Sequence, residues 1–317
     1  MTTTEHHHAE HRAAERHATD KRTIAREDLP LADRDAAHLP GHWLLARLGK
    51  KVLRPGGLEL TLAMLDHAHI AGRDVVEFAP GLGRTAAEIL RIGPSSYTGV
   101  DRSPEAVRIV SDLVGQAQLP KGGRCVQADA SDTGLPDASC DVVVGEAMLT
   151  MQTDRHKRAI ASEAFRILRP GGCYAVHELG LTPEDIPVRD KVVIQRELAR
   201  SIKVNARPLS TSEWSEVLGT VGFDVDWSDS APMALLKIRR NIADEGWSGV
   251  FTIARNLIRD PEARGRVLAM RKVFMTYERN LRAWRWWRAS RWNRWIGSYC
   301  VGQQPCQGEC NERGNDE

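Results

Sequence analysis

Residues 75–86 read VVEFAPGLGRTA, and the fold turns on how this stretch is read. Four residues of buried-strand character are followed by a turn carrying Gly81 and Gly83, and then by the first residues of a helix. Glycine lacks a Cβ, so the turn costs little in unusual φ values and lets a ligand approach the backbone closely. The helix that follows offers unpaired N–H groups to that ligand.

The chain continues the alternation. YTGVD (97–101) reads as a strand, followed by a helix with Ser103 as N-cap, Pro104 in its first turn and Glu105 at its positive end. RCVQAD (124–129) and DVVVGEA (141–147) read as strands, 155–168 as a helix and CYAVHEL (173–179) as a strand. Apolar strands alternating with helices predict an α/β fold, a doubly wound Rossmann-like sheet with helices on both faces. Further helices are expected near the C-terminus.

Bulk properties narrow the function. The 317 residues hold 44 basic and 42 acidic groups, a net charge of +2, which gives no global field for nucleic acid or anionic lipid. No apolar run approaches the roughly 18 residues of a membrane span, and the N-terminal stretch lacks the apolar core of a signal peptide. Cys125, Cys140 and Cys173 fall in strand-like runs, while Cys300, Cys306 and Cys310 match no zinc spacing. These features predict a cytoplasmic protein without a metal centre, a membrane or a nucleic-acid partner; His6, His7 and His8 are not expected to serve as metal ligands. Oligomeric state leaves no signal.

Gly81-Leu82-Gly83-Arg84-Thr85-Ala86 satisfies G-x-G-x-x-A, the dinucleotide pattern, so an NAD(P)-dependent oxidoreductase is one alternative. Three acids favour S-adenosylmethionine. Glu77 would repel a pyrophosphate but suits an ammonium group. Asp101 ends the second strand, where a carboxylate accepts from two ribose hydroxyls. Asp129 ends the third, placed to accept from an adenine amino group.

Four segments in order, VVEFAPGLG (75–83), YTGVDRSPEAV (97–107), VQADASDTGLPDASCDVVVGEAMLTM (126–151) and EAFRILRPGG (163–172), resemble the successive motifs of class I S-adenosylmethionine-dependent methyltransferases. The nearest branch is the broad group similar to the ubiquinone-biosynthesis methyltransferases, and the likeness spans about 75–180. It implies a methyltransferase in which Glu77, Ala79, Gly81 and Gly83 line the methionine end. Asp101, with Arg102 beside it, holds the ribose, Asp129 and Ala130 the adenine, and Glu146 sits near the methyl group as a cofactor contact and candidate catalytic residue. Ala79 departs from the family, which usually has glycine there.

Ligands of open α/β sheets sit at the carboxyl ends of the strands. Met148, His177 and Glu178 are therefore expected around the acceptor, with His177 the candidate base, although strand alternation turns only one of His177 and Glu178 toward it. Asn205 and Arg207 are candidate contacts to an anionic acceptor. The acceptor is expected to be a small molecule with an oxygen, nitrogen or carbon nucleophile.

The organisation expected is a disordered polar segment 1–38, a methyltransferase domain 39–238 with a lid insertion about 181–210, a helical pair 239–282 and an irregular Trp/Arg-rich tail 283–317. In LRAWRWWRASRWNRW (281–295) the resemblance leads one to look for an apolar last strand lying antiparallel to the others. Read one base upstream, every tryptophan codon contributes NTG, which encodes Leu, Val or Met, so a frameshifted final strand is one reading of the tail. A non-catalytic module that uses this tail on membranes or nucleic acid is the other alternative function.

Overall fold

A computed structural model describes residues 24–291 apart from 52, 54, 226, 227, 234, 236 and 237. Its sheet holds β1 (Asp74–Phe78), β2 (Ser96–Asp101), β3 (Gly123–Gln127), β4 (Cys140–Glu146), β5 (Leu168–Leu181), β6 (Phe223–Val225), β7 (Ser228–Pro232) and β8 (Leu281–Arg291). The order is β3-β2-β1-β4-β5-β8-β6, with β7 also paired to β8. The first five strands are parallel, and β8 runs antiparallel to β5. The strand order reverses between β1 and β4, the switch point at which such sheets bind ligands.

Around the sheet lie α1 (Gly41–Arg47), α2 (Gly57–His67), α3 (Arg84–Ile92), α4 (Pro104–Val114), α5 (Asp154–Ile167), α6 (Val188–Ile202), α7 (Thr211–Gly219), α8 (Ile238–Arg259) and α9 (Pro261–Thr276). Every residue of β1 is buried, as a strand covered on both faces requires. Val76 and Phe78 pack with Ile160 and Ala164 of α5 and Trp214 of α7. Val75 packs on the opposite face, with Met64 of α2, Ile89 of α3 and Val110 of α4. The α/β reading of the sequence and this structure agree.

Local signals act where they were read. Ser103 accepts from the Ala106 N–H and Pro104 occupies the first turn of α4. Gly83 precedes α3 with φ 72°, and a Cβ there would stand 3.3 Å from Leu113 Cδ2. Gly83→Ala is expected to cost about 1–2 kcal/mol, the penalty of left-handed backbone for an L-residue. Chemical denaturation would check this, and an unchanged midpoint would contradict it.

Two expectations are corrected. The polar segment is not disordered up to residue 38: the described chain begins at Ile24, and Leu29, Ala36 and Leu39 are buried. The insertion 181–210 carries α6, anchored through buried Ile194 and Leu198. The tail is not irregular from 283, because β8 pairs with β5 from Leu281↔Leu181 through Ser290↔Cys173. An open edge on β5 supplies a full row of backbone partners, tryptophan suits extended chain, and Leu281 and Ala283 are buried. The chain as written therefore fills the position of the antiparallel last strand. Residues 1–23 and 292–317 lie outside the described residues, and with them the expectations on His6, His7 and His8 and on Cys300, Cys306 and Cys310.

The helical pair starts at Ile238 and ends at Thr276, and α8 is broken at Gly246, where φ is 69°. Among the described residues no helix is long and apolar enough to cross a membrane.

Candidate active site

A cavity of about 550 Å³ opens at the carboxyl ends of β1, β2 and β4. Glu77, Ala79, Gly81, Asp101, Arg102, Asp129, Ala130, Glu146, Met148 and Glu178 all stand on its wall. Gly83 does not; its α-carbon faces Leu113 and Val110 of α4, so its part is to turn the chain.

The polar end is built from acids that are already oriented. Asp101 Oδ2 accepts from the Gly81 N–H at 3.1 Å and Oδ1 from the Ser103 N–H at 2.9 Å. Each carboxylate oxygen keeps a second lone pair for a hydroxyl. Burial pushes the Asp101 carboxyl up from its ordinary value, against the pull of the Ser103 and Gly81 N–H groups. Glu77, at the end of β1, accepts from the Tyr97 hydroxyl at 2.6 Å, and that phenol is pushed well up by burial and by the Glu77 charge. Asp129 Oδ1 accepts from the Ser131 N–H at 2.8 Å and its hydroxyl at 2.7 Å. Arg102 and His156 stand 3.6 Å and 3.4 Å from the Asp129 oxygens. Burial acts to raise this carboxyl, but the Ser131 hydroxyl and N–H outweigh it and the net displacement is downward.

Ala79 and Gly81 form the floor of the turn with φ 53° and 54°. A left-handed alanine is unusual, and the Ala79 N–H donates to the Val100 carbonyl at 2.8 Å, which fixes it there. A Cβ on Gly81 would point at the Trp43 ring, 3.8 Å away, across space that a ligand would use.

Glu146 ends β4 as the hub of a buried polar cluster. Its Oε1 accepts from the Thr61 hydroxyl at 2.5 Å and meets His177 Nδ1 at 2.6 Å, while Oε2 accepts from the Thr85 hydroxyl. With donors on both oxygens, Glu146 is suited to fixing the cavity floor.

His177 and Glu178 divide as strand alternation requires. Glu178 reaches the cavity wall, and His177 does not: its ring is fully buried, with Nε2 turned toward Gly56 and Ala283. The expectation of His177 as the acceptor's base is corrected on that ground, since no acceptor reaches a ring enclosed behind Glu146. Glu178 accepts from the N–H groups of Met148, Leu149 and Thr150 at 2.8, 2.6 and 3.0 Å and from the Thr150 hydroxyl at 2.7 Å. Burial nonetheless pushes its carboxyl up. Its work is to pin the turn that carries Met148 and Met151 into the cavity.

Asn205 and Arg207 are also corrected. Their neighbours Val204 and Ala206 line the cavity, while the Arg207 guanidinium turns to Asp154 at 3.6 Å and to Asn205 at 3.3 Å. Extended chain alternates, and the polar pair lies on the outer side.

Several wall residues escaped the sequence reading. His42 and Trp43 open α1 and pack ring to ring with centroids 4.8 Å apart. His42 makes no hydrogen bond among the described residues, and burial lowers its pKa to about 4. No local signal marked them, because α1 reaches the glycine turn only through tertiary packing. Beyond them the cavity is lined by Leu45, Leu53, Ile202, Met233, Met270 and Phe274, and all of these but Met233 belong to one apolar cluster, the acceptor lobe. Among the described residues, no group of three or more His, Cys, Asp or Glu is placed to hold a metal ion.

The donor set fits S-adenosylmethionine: an acid for the ammonium group, a two-oxygen acceptor for the ribose and a third acid for the adenine amine. Comparisons with known proteins point the same way. A family model described as "Methyltransferase domain" matches residues 76–176. An uncharacterized protein of Haemophilus influenzae (strain Rd) is 31% identical over 76% of this chain and 94% of its own length. A probable S-adenosylmethionine-dependent methyltransferase of Mycolicibacterium smegmatis is 31% identical over 49% of this chain and 54% of its own. In fold the chain is similar to phosphoethanolamine N-methyltransferase 2 of Haemonchus contortus, solved with S-adenosylhomocysteine, at TM-score 0.59 and 16% identity. That likeness covers 85% of this chain and 61% of the solved one.

Proposed function

From the premise that this chain belongs to the class I S-adenosylmethionine-dependent methyltransferases, we propose that it methylates a small acceptor with an apolar body. The observation that carries this is the mixed lining of one cavity, with acids at the strand ends around the glycine turn and an apolar cluster supplied mainly by α1, α6 and α9. Bound S-adenosylmethionine supplies a methyl group on a positively charged sulfur, which an acceptor lone pair displaces in line. The chain's own residues position the partners and manage the acceptor's proton. Glu77 takes the ammonium end, Asp101 with Arg102 the ribose, Asp129 and Ala130 the adenine. Ala79 and Gly81 give close approach, and Glu146, held by Thr61, Thr85 and His177, keeps the floor rigid. Met148 bounds the acceptor side. Residues 39–238 serve as the catalytic domain, and the helices that follow it complete the acceptor lobe through Met270 and Phe274.

His42 is the wall imidazole without a hydrogen-bonding partner among the described residues, and it is neutral above pH about 4. Its lowered pKa makes it a weak base, so its help in taking the proton of a hydroxyl acceptor as the methyl group arrives belongs at the low end of the range for such groups. His42→Ala is expected to lower kcat by about 100-fold, the lower bound for a positioned base, with S-adenosylhomocysteine affinity unchanged. Equal losses in both would make His42 a structural residue.

Transfer of labelled methyl from S-adenosylmethionine into a panel of alkylphenols and long-chain alcohols, with ethanolamine and glycine beside them, tests the acceptor class. Label in the apolar hydroxyl compounds is the expected result; label in the polar amines alone would overturn it.

A pH dependence follows from Asp101. The ribose hydroxyls donate to the ionised carboxylate, so binding favours loss of its proton. Because burial raises the Asp101 pKa, S-adenosylhomocysteine affinity should be flat at neutral pH and fall as pH drops through that raised value. The fall should begin at a higher pH than an exposed aspartate would give. Titrations across mildly acidic buffers check this, and a flat profile down to the ordinary aspartate range would contradict it.

A further inference from the structure

The two helices beside the acceptor lobe expose an apolar face that the proposed chemistry does not use. After the break at Gly246, α8 presents Trp247, Phe251 and Ile258 with 76%, 71% and 72% of their surface exposed. Spaced four and eleven residues from the first, they fall within about 40° of one another around the helix. On α9, Leu268 and Met275 recur seven residues apart and are 58% and 56% exposed. Large exposed apolar faces on folded chains mark binding surfaces more often than chance. The opposite faces of these helices are committed inward: Asn256 donates to the Leu48 carbonyl, Leu257 packs beside α1, and Met270 and Phe274 line the cavity.

Charge selects the occupant. The exposed ionisable residues between 247 and 276 are Arg255, Arg259, Arg264 and Lys272 against one acid, Glu262, whose charge acts on Arg266. This local excess contrasts with a chain that is nearly neutral overall. A second copy docked on this face by twofold symmetry would set two basic surfaces together, which is unfavourable. Aliphatic Ile258, Leu268 and Met275 suit hydrocarbon better than stacked bases, which nucleic-acid surfaces meet with aromatic rings. Tryptophan and phenylalanine with flanking arginines match a helix lying in the lipid interface, the long basic side chains reaching up to the headgroups.

We propose that the outer faces of α8 and α9 dock this protein on an anionic lipid surface, with Trp247, Phe251 and Ile258 entering the interface and Arg255, Arg259, Arg264 and Lys272 meeting the headgroups. Docking of this kind is peripheral and consistent with the lack of a spanning helix among the described residues. It sets α9, whose inner face walls the acceptor lobe, next to a reservoir of apolar molecules. The inference rests on the surface and stands apart from the identity of the acceptor.

Co-sedimentation of the full chain with vesicles of mixed phosphatidylglycerol and phosphatidylcholine tests it, with phosphatidylcholine vesicles alone as the comparison. The wild-type chain should sediment with the anionic vesicles, less so as salt is raised. The double variant Trp247→Glu, Phe251→Glu should lose at least about tenfold in vesicle affinity, since each buried side chain contributes through its apolar area. It should keep S-adenosylhomocysteine binding, which shows that it is folded. Using the full chain for both proteins holds the Trp/Arg tail constant, so a contribution from that segment cannot imitate the difference. Wild-type protein that stays in the supernatant overturns the proposal, as does a variant that sediments equally well. A wild-type dimer that the double substitution dissociates, without vesicle binding, assigns the face to a second copy and also overturns it. RNA binding lost in the variant, without vesicle binding, does the same.

Discussion

Asp101→Ala is expected to weaken S-adenosylhomocysteine binding by about 100-fold. The carboxylate at the end of β2 is oriented by the Gly81 and Ser103 N–H groups, leaving one lone pair on each oxygen for the ribose. Two charge-assisted hydrogen bonds at the low end of their range give about 3 kcal/mol, which is two orders of magnitude in affinity. Loss of the tie to Gly81 also loosens the turn that lies against the ligand. Asp101→Asn keeps one carbonyl acceptor and should fall between the two, near tenfold. Calorimetric titration reads all three proteins. Wild-type affinity in Asp101→Ala would mean that the ribose is held by other residues.

Glu178→Ala should produce the largest loss of stability among the wall residues. Its carboxylate satisfies three consecutive backbone N–H groups and the Thr150 hydroxyl in a fully buried site. Orphaning those donors costs about 1–3 kcal/mol each, reduced where water enters the space left by the side chain, so about 3 kcal/mol in all is expected. In a chain of 317 residues that lowers Tm by about 5 °C. The turn that presents Met148 and Met151 should loosen with it, raising KM for the acceptor more than the dissociation constant for S-adenosylhomocysteine. Glu178→Gln retains one acceptor oxygen and should lose less. Thermal unfolding decides the matter, and a Tm within a degree of wild type would show that the turn finds other partners.

Much of the sheet was legible because its signals are local. Apolar runs, the glycine turn before α3 and the Ser103-Pro104 cap each act within a few residues, and each stands where it was read. The carboxylates at the strand ends were legible for a related reason: in a parallel sheet the end of a strand is already the mouth of the site. What depended on register or tertiary packing was not. Which of His177 and Glu178 faces the cavity is a parity of β5, invisible until its pairing with β4 fixes Glu146↔His177. Trp43 lies nearly forty positions before Gly81 and meets it, with His42 stacked beside it, only because α1 packs against α6 and α9; a Cβ on Gly41 would strike Met270 at 2.8 Å. The strand at 281–291 lacks the apolar pattern of the others, and the open edge of β5 is what recruits it.

The most direct test of the cofactor cavity is calorimetric titration of S-adenosylhomocysteine into the full chain, with NADH titrated in parallel. One molecule per chain at micromolar affinity, and no heat from NADH, is the expected result. A folded chain that binds NADH and ignores S-adenosylhomocysteine would contradict the assignment of the acidic end of the cavity.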